Sequence, residues 1–69
     1  MKTLSGKEVC NILEQHGFEF IRQRGSHMIM QKKTGSLTIT VPVPNHKELR
    51  MGTLRSIIRQ SGISKQEFE

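Results

Sequence analysis

The chain is expected to fold in the α+β class, with a three-stranded antiparallel sheet and two helices packed on one of its faces, in the order α-β-β-β-α. Three observations predict this. A capped amphipathic stretch opens the chain; three strand-like runs follow, joined by connections too short for a crossover; a second amphipathic stretch comes after a loop bearing two prolines. Its 69 residues make one small domain, residues 1–69. A chain of this size buries only about 60% of its unfolded surface. With no Trp or Tyr and three Phe, a deep pocket is not expected, and any active site should be shallow and open to a large substrate.

The first helix starts at a capping box, Ser5 with Glu8, in which each side chain satisfies the other residue's free backbone donor. Val9, Ile12, Leu13 and His16 recur at helical spacing and Gly17 suits a left-handed cap, giving a helix over 6–16. Cys10 sits beside that stripe as a small core filler. The first strand, 18–24, places Phe18, Phe20, Arg22 and Arg24 on one face and Glu19, Ile21 and Gln23 on the other. Gly25-Ser26 has the composition of a tight turn. The second strand, 27–32, carries Met28 and Met30 on one face and Ile29 on the other, so alternation does not decide which way His27 points. Thr34-Gly35-Ser36 makes the next turn. Leu37, Ile39 and Val41 of a third strand, 37–41, should face the core.

Pro42 and Pro44 each lack a ladder donor and are expected to end the sheet. The second helix runs over 51–61, with Leu54, Ile57 and Ile58 inward, Arg55 and Arg59 on another face and Gly62 as its cap. Ser64 and Glu67 offer a second capping box for a short final turn. This layout is that of the double-stranded RNA-binding domain, although architecture alone does not license a function.

Eleven Lys and Arg against six Asp and Glu give a net charge of +5. So basic a small chain points first to nucleic acid and second to an acidic protein partner. The single cysteine cannot form an internal disulfide and no signal peptide is evident, which together suggest the cytoplasm. No apolar run approaches the length of a membrane span. His16, His27, His46 and Cys10 match no zinc spacing, so neither a metal nor a small-molecule cofactor is expected. His16 is read as a half-buried helix residue.

The letters R-G-S-H-M at 24–28 resemble the remnant of a cleaved tag, but such remnants lie at termini or fusion joints and this one joins two strand runs. Ser26 neighbours His27 along a strand, where adjacent side chains diverge, and no nucleophile elbow is present. What remains is a histidine near guanidinium groups. Arg22 and Arg24 could hold a phosphodiester while the imidazole exchanges protons with a ribose 2′-hydroxyl or a leaving 5′-oxygen. From residue types alone, a plain polar residue opening a strand stands slightly ahead of that reading.

Two motifs shift the balance. R-Q-x-G-S-H over 22–27 and G-T-L-R-x-I-x-R-Q-x-G over 52–62 resemble the HicA toxin family, and the resemblance extends from about Ser5 to Phe68. Met51 stands where many members carry proline, and the loop "VPVPNHKEL" is shorter than in others. The resemblance implies a double-stranded-RNA-binding-domain-like fold and a toxin endoribonuclease that cleaves mRNA without a metal. It implies His27 as the catalytic residue and a HicB-type antitoxin as the protein that blocks it. Around His27, Arg22, Arg24 and Ser26 are expected to hold RNA. Lys47 and Arg50 should meet phosphates near the second helix start, where free amides favour anions. Arg55, with Arg59, either extends that surface or is a solvated helix face. His46 is either a second acid-base group or, more plainly, an exposed loop histidine. The alternative function is a non-catalytic RNA-binding module of the same fold.

Overall fold

A computed structural model describes residues 2–69. It contains helix α1 (Gly6–Gln15), strands β1 (Glu19–Arg24), β2 (His27–Thr34) and β3 (Leu37–Pro44), helix α2 (Met51–Ser61) and a 3₁₀ turn (Lys65–Phe68). The strands form one antiparallel sheet in the order β1-β2-β3. The expected α+β architecture is therefore present. α1 begins as anticipated: the Ser5 hydroxyl accepts the Glu8 N–H at 3.0 Å and the Glu8 carboxylate accepts the Ser5 N–H at 2.8 Å. Those bonds, the Ser5 backbone donor above all, hold the Glu8 carboxyl below the usual carboxylate range, so the cap is complete at neutral pH and weakens only in acid. The helix ends one residue early, with His16 as its cap and Gly17 at φ +94°.

Val9 and Leu13 of α1, Met30, Val41 and Val43 of the sheet, and Leu54 and Ile57 of α2 meet in the core. Phe68 of the 3₁₀ turn closes it and is fully buried. Glu67 does not complete a capping box with Ser64. In the tight 3₁₀ geometry the Ser64 hydroxyl accepts from the Gln66 N–H at 3.3 Å, and the Glu67 carboxylate instead reaches His16 Nε2 at 3.4 Å. His16 is half-buried, as expected, with Nδ1 2.9 Å from the Ile12 carbonyl oxygen.

Besides β2 running on through Thr34 rather than ending at Lys32, three sheet features differ from the sequence reading. β3 does not stop at Val41 but pairs with β2 through Pro44, Ile29 lying opposite Pro42 and His27 opposite Pro44. The reason is parity on an edge strand. The Asn45 N–H bonds inward to the Ser26 carbonyl at 2.7 Å, so the nitrogens of Pro42 and Pro44, three and one residues away, face outward where no donor is needed. Leu37, expected in the core, is 69% exposed because it closes the β2–β3 hairpin beyond the buried part of the sheet. Third, the register of β1 shifts between Phe20, opposite Met30, and Arg22, opposite Ile29. Ile21 is the extra residue of a bulge, which reverses the alternation. Phe20 therefore lies on the Met30 side, and Arg22 and Arg24 on the other, rather than all on one face.

The Phe68→Ala variant should lose about 3–5 kcal/mol, the usual cost of emptying a fully buried phenylalanine site. In so small a domain that loss is expected to abolish the cooperative urea transition at 25 °C. A transition matching that of the wild type would show that the 3₁₀ turn is not part of the core.

Candidate active site at the first hairpin

The turn between β1 and β2 is two residues long, and only its first, Gly25, has positive φ, at +61°. That is the pattern of a type II′ hairpin, which matches the twist of its flanking strands. The turn is also tied down. Gln23 Nε2 donates to the Gly25 carbonyl at 3.1 Å, and the Ser26 carbonyl accepts from Asn45 across the sheet. The loop after β3 is fixed in turn by the first residue of α1 and by Leu4 just before it. The Gly6 N–H donates to the His46 carbonyl at 2.9 Å and the Leu49 N–H to the Leu4 carbonyl at 2.8 Å. Gly6 lies so close to the end of β3 that a Cβ there would collide with the Pro44 carbonyl oxygen.

Which face His27 occupies follows from its neighbours. Met28 and Met30 are buried under the helices, so the alternate residues His27, Ile29 and Gln31 stand on the open face. The register adds their partners: Arg24 and Pro44 flank His27 on either side, and Arg22 and Pro42 flank Ile29. Two adjoining clefts meet at His27. One, of about 400 Å³, is lined by Arg24, His27, Ile29 and Pro42. The other, of about 410 Å³, lies between His27 with the two prolines and the near side of α2.

The remaining expected site residues separate into groups. Ser26 is in the turn itself, exposed beside His27. Lys47 lines a different cleft with Ser5, Lys7, Asn45 and His46, so His46 is not brought to His27 in either of its clefts. Arg50 is the exposed residue at the start of α2 and makes no side-chain cap bond. Arg55 and Arg59 are exposed and line none of these clefts. Among the described residues the one contact between a basic side chain and a carboxylate within 4.0 Å is His16–Glu67, so no carboxylate lies against these arginines and lysines.

Gly52, Thr53, Ser56 and Gln60, which face His27 across the second cleft, escaped the sequence reading. A signal was present: Gly52, Ser56 and Gln60 are four residues apart, a small and polar stripe at helical spacing beside the apolar one.

Among the described residues no group of three or more His, Cys, Asp and Glu comes together as a metal cradle. The Cys10 thiol is buried 3.9 Å from the Met28 sulfur, and its pKa is pushed up to about 11 by burial and, secondarily, by Glu14. A thiol so shifted is a poor nucleophile. Iodoacetamide at pH 8 should therefore label Cys10 slowly in the folded protein and quickly in urea. Equal rates would mean that α1 opens readily from the sheet.

Residues 6–63 match the family described as HicA toxin of bacterial toxin-antitoxin. No curated protein matches the chain.

Proposed function

The chain belongs to the HicA toxin family, hence to the toxins of toxin–antitoxin pairs, and from that premise we propose that it is an endoribonuclease that cuts mRNA with His27 as the acid-base group. The observation that carries this reading is the cross-strand pair of Arg24 and His27 on the open sheet face. It sets a fixed positive charge beside an exposed imidazole at the tip of a tethered hairpin. A phosphodiester held by Arg24, with Arg22 one pair further along, presents its 2′-hydroxyl to the imidazole. The 2′-oxygen attacks phosphorus as its proton passes to His27, closing a 2′,3′-cyclic phosphate; the bond to the 5′-oxygen breaks, and that oxygen takes a proton from water as it leaves. The guanidinium groups stabilise the added negative charge on the pentavalent phosphate. The nucleophile is the substrate's own hydroxyl, so the step requires no metal-bound water.

Ser26, exposed in the turn beside His27, joins Arg22 and Arg24 in holding RNA there, while Lys47 and Arg50 contact phosphates further along and Arg55 extends that surface. A toxin of this kind works with an antitoxin. We assign that role to a HicB-type protein that covers the open face and His27. No described helix is long and apolar enough to cross a membrane, and mRNA as substrate places the activity in the cytoplasm.

His27→Ala should lower RNA cleavage by roughly 10²–10⁴-fold, the usual effect of losing a general acid or base, with the thermal transition unchanged. Full activity in a folded variant would remove His27 from the mechanism. Arg24→Ala should weaken RNA binding and lower the slope of log K against log salt by about 0.7, as loss of one single-strand phosphate contact requires. An unchanged slope would mean that Arg24 meets no phosphate.

A further inference from the structure

The two clefts that share His27 and Pro42 differ in character. The one toward β1 holds Arg24 beside the imidazole. The one toward α2 has no lysine, arginine or carboxylate in its lining: beyond His27 it is walled by two proline rings and by Thr53, Ser56 and Gln60, with Ile57 beneath. A phosphate has its counter-charge on the first side and none on the second. A nucleobase fits the second side better, since it needs flat apolar contact for its faces and neutral donors and acceptors for its edge.

Two details of α2 strengthen this. Gln60 Nε2 donates to Ser56 Oγ at 3.1 Å. The pair holds the amide in one orientation, leaving its oxygen as an acceptor and its second N–H and the serine hydroxyl as donors. Gly52 has no backbone reason to be glycine, since its φ is not positive and a Cβ there would meet nothing within 4 Å. Glycine lowers helix stability relative to alanine. What it provides here is open space at the mouth of the cleft, in line with Ser56 and Gln60.

We propose that the cleft between His27 and α2 binds the base of a nucleotide bordering the cleaved bond, with Gln60 and Ser56 reading its edge and Gly52 admitting it. This rests on the RNA-cleaving reading for the identity of the ligand. RNA then crosses the open face with its phosphate on the Arg24 side of His27 and a neighbouring base turned to the α2 side. Base preference in cleavage comes from α2, and backbone grip from β1.

The test is an NMR titration of the full chain with the four ribonucleoside 3′-monophosphates and with ribose 5-phosphate, which has no base. Amide shifts at Gly52, Thr53, Ser56 and Gln60 should appear with the nucleotides, differ among the four bases, and be absent with ribose 5-phosphate. Gly52→Leu, which the open surroundings of Gly52 allow to fold, should abolish the α2 responses and leave those of Arg24. Responses at α2 that ribose 5-phosphate reproduces, or that survive Gly52→Leu, would overturn the proposal. Cleavage of RNA by the same proteins separates this from the catalytic reading. Gly52→Leu and Gln60→Ala should each reduce discrimination among bases about tenfold while cutting continues, the scale expected for losing one good base-edge contact. Cutting with unchanged preference sinks the cleft alone; base binding at α2 without any cutting sinks the nuclease alone.

Discussion

Burying Met28 and Met30 leaves β2 a single orientation. The side chains of a strand alternate strictly, so once those two residues and their partners Val43 and Val41 fill the space under the helices, His27 and Ile29 have nowhere to go but the open face. A one-residue slip would bury an imidazole and expose two methionines. The energy that holds the core together thus also aims the one residue on which the proposed chemistry depends. A small domain gains by this economy, since it cannot build a separate pocket for a catalytic group.

The bulge at Ile21 solves the matching problem on β1. Strict alternation would tie Phe20 to the same side as Arg22 and Arg24, forcing either an aromatic ring onto the open face or two arginines toward the core. One extra residue lets Phe20 follow Met30 and the arginines follow His27. The Gly25-Ser26 turn then closes the strand pair directly at Arg24 and His27. The Asn45–Ser26 bond carries the constraint to the β3–α2 loop, and Gly6 and Leu4 carry it on to α1. A hairpin tip in a domain this small is thereby braced from three elements, the condition for holding an acid-base group against a flexible substrate.

Much of this was legible in the residues. The capping box at Ser5, the two Gly-Ser turns, the αL glycine at 62 and the helical stripe of Leu54 and Ile57 are local signals, and each element lies where those signals place it. What could not be read is what depends on pairing. The bulge exists only relative to β2, so no pattern within 19–24 reveals it. Pro42 and Pro44 look like strand breakers until the edge position of β3 turns their nitrogens away from the ladder. Leu37 looks like core until the hairpin runs past the buried part of the sheet. His27 itself was ambiguous because Ile29, an apolar residue on its face, packs into a cleft rather than the core. The motifs pointed to His27, while the polar stripe of α2 facing it went unread because it overlaps a strong apolar one.

The central claim is that the substrate's own 2′-hydroxyl is the nucleophile, and the chemical form of the product ends tests it most directly. A short end-labelled RNA, cut in excess EDTA, should leave 2′,3′-cyclic phosphate and 5′-hydroxyl termini, and a single deoxyribose at the cleaved position should block that cut. Products bearing 3′-hydroxyl and 5′-phosphate ends, or a cut that persists at the deoxyribose, would mean that water is the nucleophile and that His27 does not act as described.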